Sequence, residues 1–246
     1  MNSSGKSTLL GQILLEVVDQ GLAVCAYSGE LPDRVFRYWI ELQAAGPGGL
    51  EASVQDQNGA VYRTKHELLN GIREWYRDKL FLYQGGGMKK AGQLIGGFAR
   101  AANDYSCRVF LLDNLTMTVS RLNARDQYRA QRELILETVK FARENAAHVH
   151  IVVHPRKTIS VSRLTKNDIG GSGDITNLAD NVLVLARPGK KESREEDTLW
   201  ASRLTVLKNR FGGRQDEDIY LDFDLASRRF YPLGGSPEDR IYGWQL

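Results

Sequence analysis

Asn2-Ser3-Ser4-Gly5-Lys6-Ser7-Thr8 runs directly into Leu9-Leu10-Gly11-Gln12-Ile13-Leu14-Leu15-Glu16-Val17-Val18. In the second stretch Leu9, Leu10, Ile13, Leu14, Val17 and Val18 share one face at helical spacing, and Gly21 stops the run, which predicts a helix over Ser7–Gln20. The first stretch is the second half of the phosphate-loop pattern G-x-x-x-x-G-K-[ST]. In such a loop the backbone N–H groups and the N-terminus of the following helix hold phosphates. Ser3, Ser4, Gly5 and Thr8 form the cradle, Lys6 reaches the β- and γ-phosphates, and Ser7 ligates Mg²⁺. The plainer alternative is a serine-rich helix start, with Ser3 or Ser4 as the N-cap. The pattern places its first glycine, and the strand leading into the loop, ahead of Met1, so the chain reads as N-terminally truncated relative to it.

Working outward, apolar strands alternate with helices, the signature of an α/β fold with a mainly parallel sheet. Strands are expected at Leu22–Tyr27, Leu80–Tyr83, Val109–Leu112, Val149–Val153 and Val182–Ala186. Helices are expected at Pro32–Ala45, Thr64–Asp78, Ala91–Asp104 and Arg125–Asn145. Gly46–Ala60 reads as loop or weak structure, Gly85–Gly87 as a break, and the residues after Val153 as a polar loop to Gly173. Arg203–Lys208 and Ile219–Phe223 suggest a closing hairpin, and Arg229–Pro232 a further short strand. No repeat or linker divides the chain, so residues 1–246 form one domain.

Composition narrows the class. The 246 residues are 42% hydrophobic and 26% charged, ordinary for a globular protein. No apolar run approaches the ~18 residues of a membrane span, and the N-terminus is unlike a signal peptide, so a cytoplasmic protein without membrane attachment is expected. Cys25 and Cys107 lie in or beside apolar runs and read as buried free thiols, with no metal-site spacing. The net charge of +3 permits nucleic-acid binding without arguing for it.

Four further motifs carry chemistry. Val109-Phe110-Leu111-Leu112-Asp113-Asn114 is a buried strand ending in a carboxylate, the form of a Walker B element whose Asp113 holds the Mg²⁺ shell. By itself it is equally an ordinary strand ending in an Asp turn. Ala26-Tyr27-Ser28-Gly29-Glu30-Leu31 puts Glu30 where it would face the γ-phosphate and orient or deprotonate the attacking water. Read alone, Glu30 is a helix-start acid favoured by the dipole. Ile151-Val152-Val153-His154-Pro155-Arg156-Lys157 ends a strand in a histidine suited to a phosphate oxygen, or in a satisfied structural histidine. Leu207-Lys208-Asn209-Arg210-Phe211-Gly212-Gly213 is a basic hairpin turn, which on its own is simply solvated.

Taken in order, these pieces resemble the superfamily-four helicases: bacterial DnaB, the phage helicase-primases and the mitochondrial helicase Twinkle. VVHPRK, GGSGDITNLADNVLVL and KNRFGG are most similar to the phage and mitochondrial branch. The resemblance implies a RecA-like P-loop NTPase core lacking its first strand, with a mostly parallel sheet flanked by helices. It implies ATP or another NTP with Mg²⁺, and translocation on single-stranded DNA by a hexameric ring, with a primase or loader as a possible partner. By position, Lys6, Ser7 and Thr8 become the Walker A end, Glu30 the catalytic glutamate, Asp113 the Walker B acid and His154 the switch between γ-phosphate and DNA. Lys208 and Arg210 match the pair that reaches a neighbour's γ-phosphate, Arg210 being the arginine finger, and Arg187 and Phe223 fall where the adenine packs.

The same resemblance makes Lys157–Gly173 the DNA-binding loop, with Lys157, Arg163 and Lys166 as its cations and Gly171 and Ser172 offering backbone N–H groups to phosphate. Gly170 stands where the phage branch carries an arginine. Relative to the family, the chain is expected to be the ATPase module without primase domain, collar or linker helix. Two other functions fit the same fold: a RecA-like recombination or regulatory ATPase without unwinding, and a nucleotide-binding module without turnover.

Overall fold

The computed structural model describes residues 4–56, 59–84, 91–115, 124–154, 174–188 and 201–245. Helix α1 spans Lys6–Asp19 and leads to β1, Ala23–Ser28, then α2, Asp33–Ala45. A hairpin follows, β2 at Leu50–Asp56 and β3 at Gly59–Thr64. Next come α3 (His66–Tyr76), β4 (Leu80–Leu82), α4 (Ala91–Asp104), β5 (Cys107–Asp113), α5 (Ala124–Glu144) and β6 (His148–Ile151). The last elements are α6 (Asp174–Leu178), β7 (Asn181–Ala186), β8 (Ser202–Asn209), β9 (Glu217–Asp224) and β10 (Arg229–Pro232).

The central sheet is parallel, in the order β4-β1-β5-β6. Its middle strands, AVCAYS and CRVFLLD, are almost wholly apolar because both faces are covered by helices. Alternation sorts their side chains. Val24, Ala26, Val109 and Leu111 face α1, α2 and α3, where Leu14, Leu15, Val18, Phe36, Ile40 and Ile72 complete one core. Cys25, Tyr27, Phe110 and Leu112 face α4 and α5, where Leu94, Phe98, Leu134, Ile135 and Phe141 complete the other. Both cysteines are buried and free, as expected, and burial pushes the Cys25 thiol up to about 12 and the Cys107 thiol to about 11.

A second, antiparallel sheet runs β10-β9-β8-β7. Helix α1 joins it to the first: the Gln12 amide donates to the Phe230 carbonyl and accepts from the Phe230 N–H, each at 2.8 Å. No strand precedes α1 among the described residues, and there β6 and β7 each present an edge that pairs with no other strand.

Two expectations need correction. Gly46–Ala60 is not irregular: Pro47–Gly49 forms a short 3-10 turn, and Leu50–Asp56 pairs with Gly59–Thr64 as a hairpin, so Thr64 closes a strand and does not open a helix. The polar loop expected up to Gly173 lies outside the described residues from 155 onward, and the short helix α6 begins just after it. Among the described residues no helix is long and apolar enough to cross a membrane.

Candidate functional site: the carboxyl edge of the parallel sheet

The register pairs Ser28 of β1 with Asp113 of β5, and Leu112 of β5 with Ile151 of β6. Three adjacent strands therefore end together, and Glu30, Asp113 and His154 emerge on one edge of the sheet, where open α/β folds bind ligands.

The start of α1 faces that edge. The cap of α1 is Gly5, left-handed at φ 92°, with no side-chain cap hydrogen bond. The serine N-cap alternative therefore fails for Ser4, and Ser3 lies outside the described residues. A Cβ at Gly5 would stand 2.8 Å from the Phe230 ring, so this turn requires glycine on both counts. The uncapped first turn leaves N–H groups without intrahelical acceptors, the setting in which helix N-termini hold anions. Lys6 Nζ donates to Ser4 Oγ at 3.2 Å. Burial lowers the Lys6 pKa, against the opposing pull of Asp113 and Glu30, so its ammonium lies within the field of both carboxylates.

Asp113 is fully buried. Its Oδ2 accepts from Ser7 Oγ at 2.6 Å and from Ser28 Oγ at 3.4 Å, while Oδ1 has no hydrogen-bond partner among the described residues. Burial raises its pKa; the Ser7 hydrogen bond acts against that, Glu30 adds to it, and His154 and Lys6 oppose it. A buried carboxylate oxygen without a partner, beside a hydroxyl, is a hard-oxygen set that fits Mg²⁺, an ion that keeps most of its waters and takes few protein ligands. Among the described residues no cluster of three His, Cys, Asp or Glu side chains offers a denser metal site.

Glu30 and His154 meet directly, His154 Nε2 lying 2.9 Å from Glu30 Oε1. Between them sits Asn114, buried at 1% exposure. Its Nδ2 donates to Glu30 Oε1 and lies 2.8 Å from His154 Nε2. Sequence reasoning missed Asn114 and Ser28. Their signal was only adjacency, one beside Asp113 and the other two residues before Glu30, and neither residue type announces chemistry at that spacing.

The remaining predicted residues are placed as follows. Phe223 packs on Phe230 with ring centroids 4.8 Å apart, one ring removed from Gly5. Arg187 is exposed just past β7, close enough to Arg228 for their like charges to oppose. Lys208 points inward: its Nζ donates to the carbonyls of Thr176, Asn177 and Ala179 at 2.9, 3.0 and 2.7 Å. Arg210 is not a bare solvent-facing guanidinium but pairs with Asp180 at 2.5 Å. Lys157, Arg163, Lys166, Gly171 and Ser172 lie outside the described residues.

No protein-family model matches the sequence. A curated relative, the DNA helicase/primase of Enterobacteria phage T3, is 24% identical over 224 residues, covering 79% of this chain. The chain spans 38% of that relative's length. Among solved structures, an ATPase domain superposes with a TM-score of 0.74 at 15% identity, covering 95% of this chain and 82% of that one. A DnaB-like replicative helicase, described with its interactions with primase, gives 0.73 at 15% identity, covering 94% of this chain and 56% of that one. The chain has the fold of a DnaB-like helicase ATPase domain. On that fold Lys6, Ser7, Asp113, Glu30, Asn114 and His154 form one connected cluster, while Arg210 and Lys208 belong to a separate one around Asp180.

Proposed function

We propose that the chain is the motor domain of a ring-forming, ATP-dependent DNA helicase, hydrolysing NTP with Mg²⁺ at sites completed by a neighbouring copy. The observation that carries this reading is the convergence of Lys6, Ser7, Asp113, Glu30 and His154 on one sheet edge beside an uncapped helix N-terminus. The phage helicase/primase relative and the two solved folds support it.

Phosphoryl transfer needs positioning and charge stabilisation more than covalent chemistry. Lys6 and the first-turn N–H groups of α1 bind the phosphates. Ser7 and Asp113 would hold Mg²⁺, which would supply neutralisation of charge on the phosphate oxygens. Glu30 takes a proton from the attacking water, and Asn114 and His154 fix the Glu30 carboxylate in place. Arg210 of a neighbouring copy stabilises charge developing on the transferred phosphoryl group, a contribution worth roughly 10³–10⁵ in rate. Phe223 and Arg187 pack the base. Single-stranded DNA is bound by the Lys157–Gly173 segment through Lys157, Arg163, Lys166 and the N–H groups of Gly171 and Ser172, and a primase or loader is the expected protein partner.

ATP hydrolysis with and without single-stranded DNA tests the reading. DNA-stimulated turnover, lost in Lys6→Ala and accompanied by a closed six-membered ring, is expected. An open filament would favour a recombination ATPase, and nucleotide binding without turnover a binding module.

A further inference from the structure

We propose that Asp180 is a positioning residue for Arg210, holding its guanidinium at the angle from which it meets a nucleotide bound by a neighbouring copy. This rests on the reading of Arg210 as a residue that acts in trans.

The placement follows from the strand register. Asp180 immediately precedes β7 and Arg210 immediately follows β8; the antiparallel pairing sets Asn181 opposite Asn209, so the two residues stand side by side. They are joined twice, by the Arg210 N–H donating to the Asp180 carbonyl at 3.0 Å and by Arg210 Nη1 donating to Asp180 Oδ1 at 2.5 Å. Both ends of this link are fixed. Lys208, two residues before Arg210, pins the last carbonyls of α6 just ahead of Asp180. Beyond Arg210, the Gly212 N–H donates to Asn209 Oδ1 at 2.8 Å, and a Cβ at Gly212 would stand 2.2 Å from Asn209 Nδ2, so the turn closes tightly.

Stability does not explain the pair. The side chains are 42% and 49% exposed, and ion pairs at such positions contribute little to folding. Orientation does explain it. Asp180 engages Nη1 alone, and among the described residues Nη2 and Nε make no hydrogen bond, which leaves a two-pronged donor edge for phosphate oxygens. An arginine has many rotamers to lose on meeting a phosphate, and a carboxylate behind it removes most of that loss before the reaction begins. Asp180 touches no substrate; it acts through Arg210.

The test uses ATP hydrolysis by the full chain under assembly conditions, with D180A, D180N, D180E, R210A and K6A alone and in equimolar mixtures. D180A is expected to lower kcat by roughly ten- to a hundred-fold with KM unchanged. D180N, which keeps an acceptor oxygen, should lose less, and D180E should recover part of the rate. In mixtures D180A should fall in the same complementation group as R210A. K6A with D180A regains activity, because the intact Lys6 site of one copy meets the intact Asp180–Arg210 pair of the other. D180A with R210A regains none. A misfolded D180A would also fail to rescue K6A, so its far-UV circular dichroism and its co-assembly with K6A are checked first, and D180N and D180E are carried through the same mixtures. If K6A with R210A recovers but K6A with D180A does not, the role of Asp180 is overturned and the trans reading survives. If K6A with R210A also fails, the trans reading falls and this proposal with it. A rise in kcat for D180A would make Asp180 a competitor of phosphate for Arg210 and would equally overturn it.

Discussion

Ser7 Oγ lies 2.6 Å from Asp113 Oδ2, so a hydroxyl from the first turn of α1 and a carboxylate from the end of β5 share one corner of the site, 106 positions apart in the chain. Only one oxygen of Asp113 is used in this way; the other is buried and, among the described residues, has no hydrogen-bond partner. Asp113→Asn should therefore keep the fold and remove Mg²⁺-dependent turnover. Ser7→Ala removes a proposed ligand together with the hydroxyl that fixes Asp113, so it should raise the Mg²⁺ concentration for half-maximal ATPase by at least the roughly 10–100-fold that loss of an orienting partner alone costs. A Mg²⁺ titration of the Ser7→Ala protein that overlays the wild-type curve would remove the metal role from this corner.

The Glu30–Asn114–His154 cluster makes a second prediction. Glu30→Gln should bind nucleotide normally and lose hydrolysis by roughly 10²–10⁴-fold, the usual contribution of a general base. N114A removes the amide that donates to Glu30 and faces His154, so kcat should fall while nucleotide affinity holds. N114D puts a carboxylate against that of Glu30. Like charges disfavour ionisation, so the acid limb of the pH–rate profile should move to higher pH. Wild-type turnover in Glu30→Gln, or an unmoved acid limb in N114D, would dismantle the assignment.

Much of this arrangement is legible in the sequence. The parallel strands announce themselves because burial on both faces makes AVCAYS and CRVFLLD nearly continuous apolar runs. Glu30, Asp113 and His154 stand out because each lies at or within two residues of the end of an apolar run. The β2–β3 hairpin does not. In β3, Gly59–Thr64, most side chains are exposed or half-exposed, so no strong apolar alternation marks it. Helix α6 is five residues long, too short for any periodicity. Asp180 reads as a turn acid between Ala179 and Asn181, and its partner is named only by the register that sets Asn181 opposite Asn209. Lys208 and Arg210 were singled out together, yet their surroundings differ, because Lys208 lies within β8 and Arg210 just beyond its end. Lys208 caps α6 and Arg210 meets Asp180.

On the proposed reading, in which Lys157, Arg163 and Lys166 meet DNA phosphates, single-strand binding should depend on salt and little on sequence, since the Lys157–Gly173 segment carries no aromatic residue for stacking. The triple Lys157→Ala/Arg163→Ala/Lys166→Ala variant should bind labelled oligonucleotides more weakly and with a shallower salt slope. Equal affinities and equal slopes would move the DNA contact elsewhere, with Arg121 and Arg125 the next cations to test.

His150 makes stability depend on pH. It lies on β6 with its ring 4.4 Å from that of His148, and burial, aided by His148, lowers its pKa to about 4. In the unfolded chain an imidazole titrates near 6.5. Between those values the unfolded chain binds a proton that the folded one refuses. The stabilising contribution is therefore complete above about pH 6.5 and is lost as pH falls towards 4. The urea midpoint should drop between pH 7.5 and pH 5, and His150→Gln should flatten that dependence. An identical pH slope in His150→Gln would assign the loss to other groups.

Arg229 is the most consequential buried cation described, only 2% exposed and, among the described residues, with no carboxylate bonded to it. Its donors meet carbonyls instead: Nε to Gln43 at 2.7 Å, Nη2 to Ala44 at 3.2 Å, and Nη1 to Pro237 and Arg240 at 2.7 Å each. Gln43 and Ala44 belong to the last turn of α2, whose unpaired carbonyls and dipole favour a cation. The guanidinium thus ties the start of β10 to the end of α2 and to the C-terminal segment. Burial still lowers its pKa, which marks the desolvation that these carbonyls offset. Gly46 is part of the same device, for a Cβ there would stand 2.7 Å from Arg229 Cζ, and its φ of 67° suits glycine. Removing the guanidinium strands these carbonyls and opens a cavity, so Arg229→Ala should cost about 2–5 kcal/mol. Arg229→Lys should recover little, because a single ammonium cannot span carbonyls on both sides of the fork. Thermal melts should place both variants well below wild type, with Gly46→Ala between them and wild type. A wild-type melting temperature in Arg229→Ala would mean that these contacts are replaced by water without loss.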